Sequence, residues 1–205
     1  MIRFTSYAAL AALLLAPAMA DAAPRGFDTT IDQPLYAPVK IEVVLSDSLV
    51  HRANNLPTEL RKRGNARGLR SGFANNGFYG EKSLSLLVEE VHEELSEDFA
   101  KHGIEVSDDA GLTFRVTLED VKNNRPTFEQ LSRQPGLSFD SFGFGGAELS
   151  GELLTADGGQ LGTVSYSWFE TGGGLSFQFA QANGIWTDAR RAISRFARKT
   201  SDALS

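Results

Sequence analysis

Apolar and polar residues alternate along four short segments of the chain. The first covers residues 39–45, where Val39, Ile41, Val43 and Leu45 are separated by mostly polar positions. The others cover residues 112–118, 147–155 and 162–168, and the turn-forming run Ala156-Asp157-Gly158-Gly159 joins the last two. A period of two puts one set of side chains on one face, so each segment predicts a half-buried strand, and the last two predict a β-hairpin.

Two longer segments have the period of an amphipathic helix. In residues 83–102 the apolar positions recur at steps of three and four: Leu84, Leu87, Val88, Val91, Leu95 and Phe99. Glutamates fill the other face, which predicts a helix with one buried stripe. Gly103 can adopt the left-handed backbone conformation that ends this helix, and Ile104 can then pack against Phe99. Residues 186–204 keep a similar stripe and predict a closing helix.

The order of these elements predicts an α+β fold. The chain runs β-α-β-β-β-α, and each alternating strand needs cover on one face only. We therefore expect a two-layer sandwich in which two helices cover one face of a four-stranded mixed sheet. The crossover through the first helix predicts a parallel first strand pair, and the last three strands predict an antiparallel meander. Residues 46–80 are expected to form a long connection with a short helical turn at residues 57–60.

The amino-terminal sequence is typical of a secretory signal peptide. Arg3 precedes an apolar run over residues 8–15, and Ala18-Met19-Ala20 has the small residues of a cleavage site. The run is too short to span a membrane, so cleavage near Ala20 or Ala23 is expected. We predict a signal peptide at 1–20, an extended lead-in at 21–38 and a single domain at 39–205. With no later transmembrane segment, the mature chain is expected to be periplasmic or secreted.

Composition narrows the possible chemistry. The chain has 205 residues, a formal net charge of -6, 41% hydrophobic and 22% charged residues, and no cysteine. These values are those of a globular protein. The lack of cysteine excludes disulfides, thiolate metal sites, cysteine nucleophiles and a lipid anchor on an amino-terminal cysteine.

The element order, the exported start and the closing basic helix together resemble small bacterial envelope domains. These are the amino-terminal domain of TolB, LptE and related accessory lipoproteins of unknown function. The resemblance covers roughly residues 39–204, and its most telling stretches are Ala110-Gly111-Leu112-Thr113-Phe114-Arg115-Val116 and the Asp157-Gly158 turn. Several of those relatives are lipoproteins, whereas this chain lacks the lipid-attachment cysteine. The resemblance implies an accessory role and transfers no catalytic residue.

Catalytic and metal-binding patterns do not emerge from the sequence. A Gly-x-Ser-x-Gly nucleophile elbow is absent, and Glu89 and His92 lack the facing ligands that a carboxylate-bridged metal site needs. His51 and His102 are isolated. We therefore predict no catalytic residue, no metal site and no cofactor.

Two features remain as candidate binding surfaces. Seven phenylalanines lie in glycine-, asparagine- or serine-containing connections and predict a partner-binding edge: Phe73, Phe78, Phe139, Phe142, Phe144, Phe177 and Phe179. An alternative is that these rings cap the core. Five basic residues fall within ten positions and predict an anion-binding patch: Arg61, Lys62, Arg63, Arg67 and Arg70. Alternatively, the residues from Arg61 to Arg63 would end a short helix, where cations interact favourably with the helix dipole.

The leading hypothesis is a non-enzymatic exported domain that binds an envelope protein or an amphipathic lipid component. The alternative is a small-ligand carrier with an apolar pocket between the sheet and the loops at residues 134–146 and 172–184. An enzyme is the least favoured class, and nucleic acid is not an expected partner. The sequence leaves the oligomeric state open.

Overall fold

A computed structural model describes residues 26–56, 73–170 and 184–205. Within these ranges the strands are β1 (Gly26–Thr29), β2 (Val39–Leu45), β3 (Leu112–Lys122), β4 (Gly146–Thr155) and β5 (Gln160–Phe169). The helices are α1 (Asp47–Asn54), α2 (Phe73–Asn76), α3 (Glu81–Lys101), α4 (Phe128–Arg133) and α5 (Thr187–Leu204). The predicted α+β class is confirmed. The predicted signal peptide and the helical turn at 57–60 lie outside the described residues.

The strands form one mixed sheet in the order β1-β5-β4-β3-β2. β2 and β3 are parallel, with Ile41 opposite Phe114, as the crossover through α3 requires. β3, β4 and β5 form an antiparallel meander. Both predicted pairings are therefore confirmed.

The predicted strand number is wrong, because the sheet has five strands rather than four. Gly26–Thr29 lies in the segment predicted as an extended lead-in, and it pairs antiparallel with β5 as an edge strand. The pairing continues beyond the strand, since Thr30 N donates to the carbonyl oxygen of Thr163 at 2.9 Å. Four residues are too few to show a period, so the pattern of the sequence did not reveal this strand.

The core lies between one face of the sheet and the helices α3 and α5. Phe114 is fully buried, and its ring centroid lies 5.8 Å from that of Phe99 on α3. Gly151 makes room for this ring, because a Cβ at that position would lie 2.6 Å from Phe114 Cζ. The alternate residues Thr113 and Arg115 face away from the helices and are partly or fully exposed. The sheet is therefore covered on one face, as predicted.

The end of α3 has the predicted Schellman geometry. Gly103 has a φ of 74°, a conformation that favours glycine. Ile104 N donates to Phe99 O at 2.9 Å, and Gly103 N donates to Ala100 O at 3.2 Å. Both Ile104 and Phe99 are buried, which supplies the apolar contact of the motif.

Two short capped helices, α1 and α4, lie in segments predicted as connections. Ser46 caps α1 by accepting a hydrogen bond from Leu49 N. Thr127 and Gln130 form a reciprocal capping box at the start of α4. Thr-x-x-Gln is a sequence signature of a helix start, so this element had a readable signal. No helix among the described residues is long and apolar enough to cross a membrane.

Candidate interaction surface

The longest connections gather at one end of the sheet. Lys122, Gly146 and Phe169 are paired there, at the end of β3, the start of β4 and the end of β5. α3 and α5 both begin at this end, after Gly80 and Trp186. We call the residues 73–80, 123–145 and 184–188 the loop end.

A buried hydrogen-bonded network around Asn124 and Asp188 holds the loop end together. The Asn124 amide donates to the Asp188 carboxylate and to Gly143 O, and Asp188 N donates to Asn124 Oδ1 at 2.8 Å. Gly145 N donates to Asp188 Oδ2 at 3.2 Å. Both side chains are buried, and Arg191 forms an ion pair with Asp188 at 3.2 Å. One carboxylate therefore fixes α5 against the segments that precede β4.

A second buried network joins α2, α4 and the end of β3. The Asn123 amide donates to Gln130 Oε1 at 2.6 Å, and the Gln130 amide donates to Gly77 O at 2.7 Å. Gln130 also caps its own helix through Thr127. These amide N–H groups bond to the side-chain oxygen of Gln130 and to backbone carbonyl groups, so the network positions the loops.

Tyr79 anchors the segment that leads into α3. Its hydroxyl lies 2.9 Å from Ala74 O and 2.7 Å from Val121 O, and its ring meets Trp186 edge to face at 5.1 Å. Burial raises the pKa of Tyr79 well above its usual range, so the hydroxyl remains a neutral donor. The role of Tyr79 is therefore structural.

Aromatic rings surround this hydrogen-bonded frame, and two of them are mostly exposed. Phe128 is 72% exposed and Phe139 is 68% exposed, and the two rings meet edge to face at 5.9 Å. Phe142 and Phe144 form a second edge-to-face pair at 5.3 Å, and the Arg125 guanidinium lies 5.6 Å from the centre of the Phe142 ring. We call these four phenylalanines, together with Phe78, the aromatic end.

The structure divides the seven predicted contact phenylalanines. Phe139, Phe142, Phe144 and Phe78 are brought to one end, and the Arg133 guanidinium lies 5.9 Å from the Phe78 ring centre. Phe73 is fully buried, so it packs inside the protein and its assignment as a contact residue is wrong. Phe177 and Phe179 lie outside the described residues. So do all five members of the predicted anion patch: Arg61, Lys62, Arg63, Arg67 and Arg70.

The sequence analysis missed Phe128, the most exposed phenylalanine among the described residues. Phe128 stands between Thr127 and Glu129, without the glycine-, asparagine- or serine-rich context of the other loop phenylalanines. The capping signature at Thr127 could have found it, since it places Phe128 at the first position of a short surface helix.

The loop at residues 134–146 is packed tightly where it meets the sheet. A Cβ at Gly145 would lie 2.7 Å from Asn124 Oδ1 and 2.8 Å from Lys122 O. A Cβ at Gly143 would lie 3.1 Å from the Phe73 ring. At these two positions the loop leaves no room for a side chain, so its backbone packs directly on the end of β3 and on Phe73.

Histidines and carboxylates do not converge in the described part of the chain. No group of three or more His, Cys, Asp or Glu side chains there could hold a metal ion. The His92 ring lies next to Ser96 on its own helix. His102 bridges α3 and α5, with Nδ1 2.8 Å from Asp98 O and Nε2 3.1 Å from Asp202 Oδ1.

The contacts of His102 predict a pH-dependent contribution to stability. The hydrogen bond to Asp98 O, followed by Asp202, raises the pKa of His102 above its ordinary value of 6.5, because both ring nitrogens donate only in the protonated form. A group whose pKa is higher in the folded than in the unfolded protein stabilises the fold at pH values below its pKa in the unfolded protein. This stabilisation is lost as the pH rises through its pKa in the folded protein. We expect the melting temperature of His102→Gln to fall below wild type at about pH 5 and to match it at about pH 8.5. A constant difference across this range contradicts the assignment.

The comparisons with known proteins give a weak structural likeness. No protein-family model matches the chain, and no curated protein sequence matches it. A solved PelC dodecamer from Paraburkholderia phytofirmans, a point variant of that protein, is 10% identical, with a TM-score of 0.41, over 87% of this chain and 95% of that chain. A minor lipoprotein from Acinetobacter baumannii is 9% identical, with a TM-score of 0.34, over 82% of this chain and 92% of that chain. At these values neither protein transfers a function to this chain.

Proposed function

We propose that the chain is a non-enzymatic accessory domain of the bacterial cell envelope that binds an envelope partner through the aromatic end. The observation that carries the proposal is the exposed Phe128–Phe139 pair on a frame of buried hydrogen bonds. The signal-like amino terminus supports an exported location. The partner is an envelope protein or an amphipathic lipid component.

The exposure of Phe128 and Phe139 separates them from residues that cap a core. A capping ring loses most of its contact with water, as Phe73 and Tyr79 do at the same end. Two neighbouring rings that remain mostly exposed gain no comparable burial in the isolated protein. Burial of such rings in a complex is favourable, at about 25 cal/mol per Å² of apolar surface. Adjacent exposed aromatics of this kind mark interaction sites.

The surroundings of the two rings also suit binding. Arg125 and Arg133 lie over Phe142 and Phe78, so guanidinium groups accompany the aromatic surface. Aromatic residues and arginine are the types most enriched at binding hot spots. The Arg125 side chain also donates to Asp140 O at 2.9 Å, next to Phe139. The loops are therefore held in place before a partner arrives, which lowers the entropy cost of binding.

The non-enzymatic part of the proposal is supported by the way the polar residues of the loop end are used. Asn123, Asn124, Gln130 and Asp188 are buried and bond to one another and to backbone groups. A catalytic group has to reach a substrate, and these groups are enclosed. The aromatic end instead offers a partner an apolar contact surface of defined shape, together with cation–aromatic contacts.

Truncating the exposed pair tests the proposal. We expect the double variant Phe128→Ala, Phe139→Ala to keep the melting temperature of the wild type within a few degrees, because both rings are mostly exposed. We expect it to lose capture of the partner from a detergent-solubilised envelope extract. The captured proteins and lipids are identified by mass spectrometry, which also decides between the two partner classes.

Tyr36→Ala is the matched control. Tyr36 is 93% exposed but lies beside Gly103 and Ser205, at the opposite end of the helices. This variant removes an exposed aromatic ring and should bind as the wild type does. Equal capture by all three proteins contradicts a role for the aromatic end. A large loss of stability in the double variant shows instead that the rings support the fold.

A further inference from the structure

A second surface, independent of the aromatic end, lies over the amino-terminal half of α5. It is an open cleft of about 480 Å³ lined by Thr187, Arg190, Arg191, Ser194 and Arg195. Every residue of this lining has a polar or cationic side chain, and none is acidic. The chain as a whole is acidic, with a net charge of -6, so this concentration of arginine is local.

Neighbouring carboxylates neutralise part of the charge. Arg190 Nη2 lies 3.3 Å from Glu90 of α3, and Arg191 Nη1 lies 3.2 Å from Asp188. Each contact uses one nitrogen of a guanidinium group that has five N–H donors. Asp188 is already bonded to Asn124 and Gly145 through its other oxygen. Both arginines therefore keep donors for a further acceptor.

Arg195 is the third cation of the cleft, and no carboxylate among the described residues forms an ion pair with it. Its guanidinium carbon lies 4.6 Å from the centre of the Trp168 ring on β5. Stacking on an aromatic face restricts a guanidinium group without using its in-plane N–H donors. Arg195 is therefore held in position and remains unneutralised.

The segment of the sequence that leads into α5 is uncharged. Residues 171–183, which join Glu170 to the start of the last described range, contain no Asp, Glu, Lys or Arg. Three guanidinium groups facing two partner carboxylates leave a net positive site.

We propose that this cleft binds a phosphate group. A carboxylate offers two oxygens, whereas a phosphate group offers three or more and carries up to two negative charges. Three arginines with unused donors, and the Ser194 hydroxyl, match the larger number of acceptors. The source of the group is either free phosphate or the headgroup of an anionic phospholipid, and the same residues would recognise both.

Titration with inorganic phosphate tests the proposal on the first source. Trp168 lies beneath Arg195 and Trp186 precedes the cleft, so intrinsic tryptophan fluorescence reports on it. At constant ionic strength, kept with sodium chloride, we expect a saturable change with phosphate. Arg195→Gln should weaken binding about tenfold or more, the loss of one or two charge-assisted hydrogen bonds. The substitution itself changes the environment of Trp168, so binding by this variant is also measured from phosphate-dependent amide chemical shifts in NMR, which do not depend on that ring's fluorescence.

Sedimentation with vesicles tests the second source. Vesicles of phosphatidylcholine with phosphatidic acid are compared with vesicles of phosphatidylcholine alone. Saturable binding to the first, weakened by Arg195→Gln, supports the proposal with a lipid as the source, even when free phosphate gives no signal. Saturation by free phosphate without vesicle binding supports it with free phosphate as the source.

Lys40→Gln is the charge-matched control. Lys40 is exposed on the edge strand β2, which is separated from β5 by two strands, and it does not line the cleft. Its substitution also removes one positive charge and should leave both forms of binding unchanged. Equal weakening by Lys40→Gln and Arg195→Gln shows general charge attraction and overturns the site. No saturable response to phosphate or to phosphatidic acid vesicles also overturns it.

Discussion

We expect Phe114→Ala to lower the free energy of unfolding by about 3 to 5 kcal/mol. Phe114 is fully buried on β3, where its ring packs against Phe99 of α3 and lies over Gly151 of β4. Truncation removes buried apolar area and leaves a cavity that a close-packed layer cannot fully refill. Urea unfolding followed by circular dichroism measures the loss as a lower midpoint at an unchanged slope.

Thr113→Ala is the control for this prediction. Thr113 is the preceding residue of the same strand, and its side chain lines an open cleft on the uncovered face of the sheet. Its substitution should cost less than about 1 kcal/mol, as surface changes usually do. Similar losses for the two variants contradict the register in which β3 pairs with β2 and β4.

The second large effect is expected for Asn124→Ala. Its amide donates to the Asp188 carboxylate and its carbonyl oxygen accepts from Asp188 N, all within the buried interior. Removal leaves a buried carboxylate short of a donor and a buried N–H without its acceptor. Such groups cost about 1 to 3 kcal/mol each, and more when charged, so we expect a total of about 3 kcal/mol or more. The midpoint of urea unfolding measures it.

Asn75→Ala is the matched change at an exposed site. Asn75 lies on α2 near the same end of the sheet, and its side chain is exposed. The substitution should change stability by less than about 0.5 kcal/mol. If Asn124→Ala is as mild as Asn75→Ala, the network does not hold the loop end, and the frame assigned to the aromatic end loses its support.

The sequence by itself determined the elements whose pattern is long enough to show a period. α3 and α5 repeat their apolar stripe over several turns, and Leu84 and Leu95 of α3 and Ala189 and Phe196 of α5 are all buried. β3 alternates over several residues, and its apolar residues Phe114, Val116 and Leu118 are buried as well. The class of the fold and the pairing directions followed, because a helix between two strands of one sheet constrains how they pair.

The nature of the binding surface was only partly readable. Phenylalanines in polar connections predicted an aromatic edge, and Phe139 is indeed exposed in such a connection. The same reasoning included Phe73, which is buried, and missed Phe128, which is exposed. Composition around a residue shows that it lies in a connection, but it does not show which way the connection folds back.

Only the tertiary structure decided the features that depend on partners distant in sequence. β1 becomes a strand because β5, much later in the chain, offers it an unpaired edge, where Thr29 pairs with Val164. Asn124 and Asp188 are 64 residues apart and form one buried unit. The Arg195 side chain meets Trp168 across the gap between α5 and the sheet. Local propensity and periodicity carry no information on such pairings, because their free energy exists only once the layers have packed.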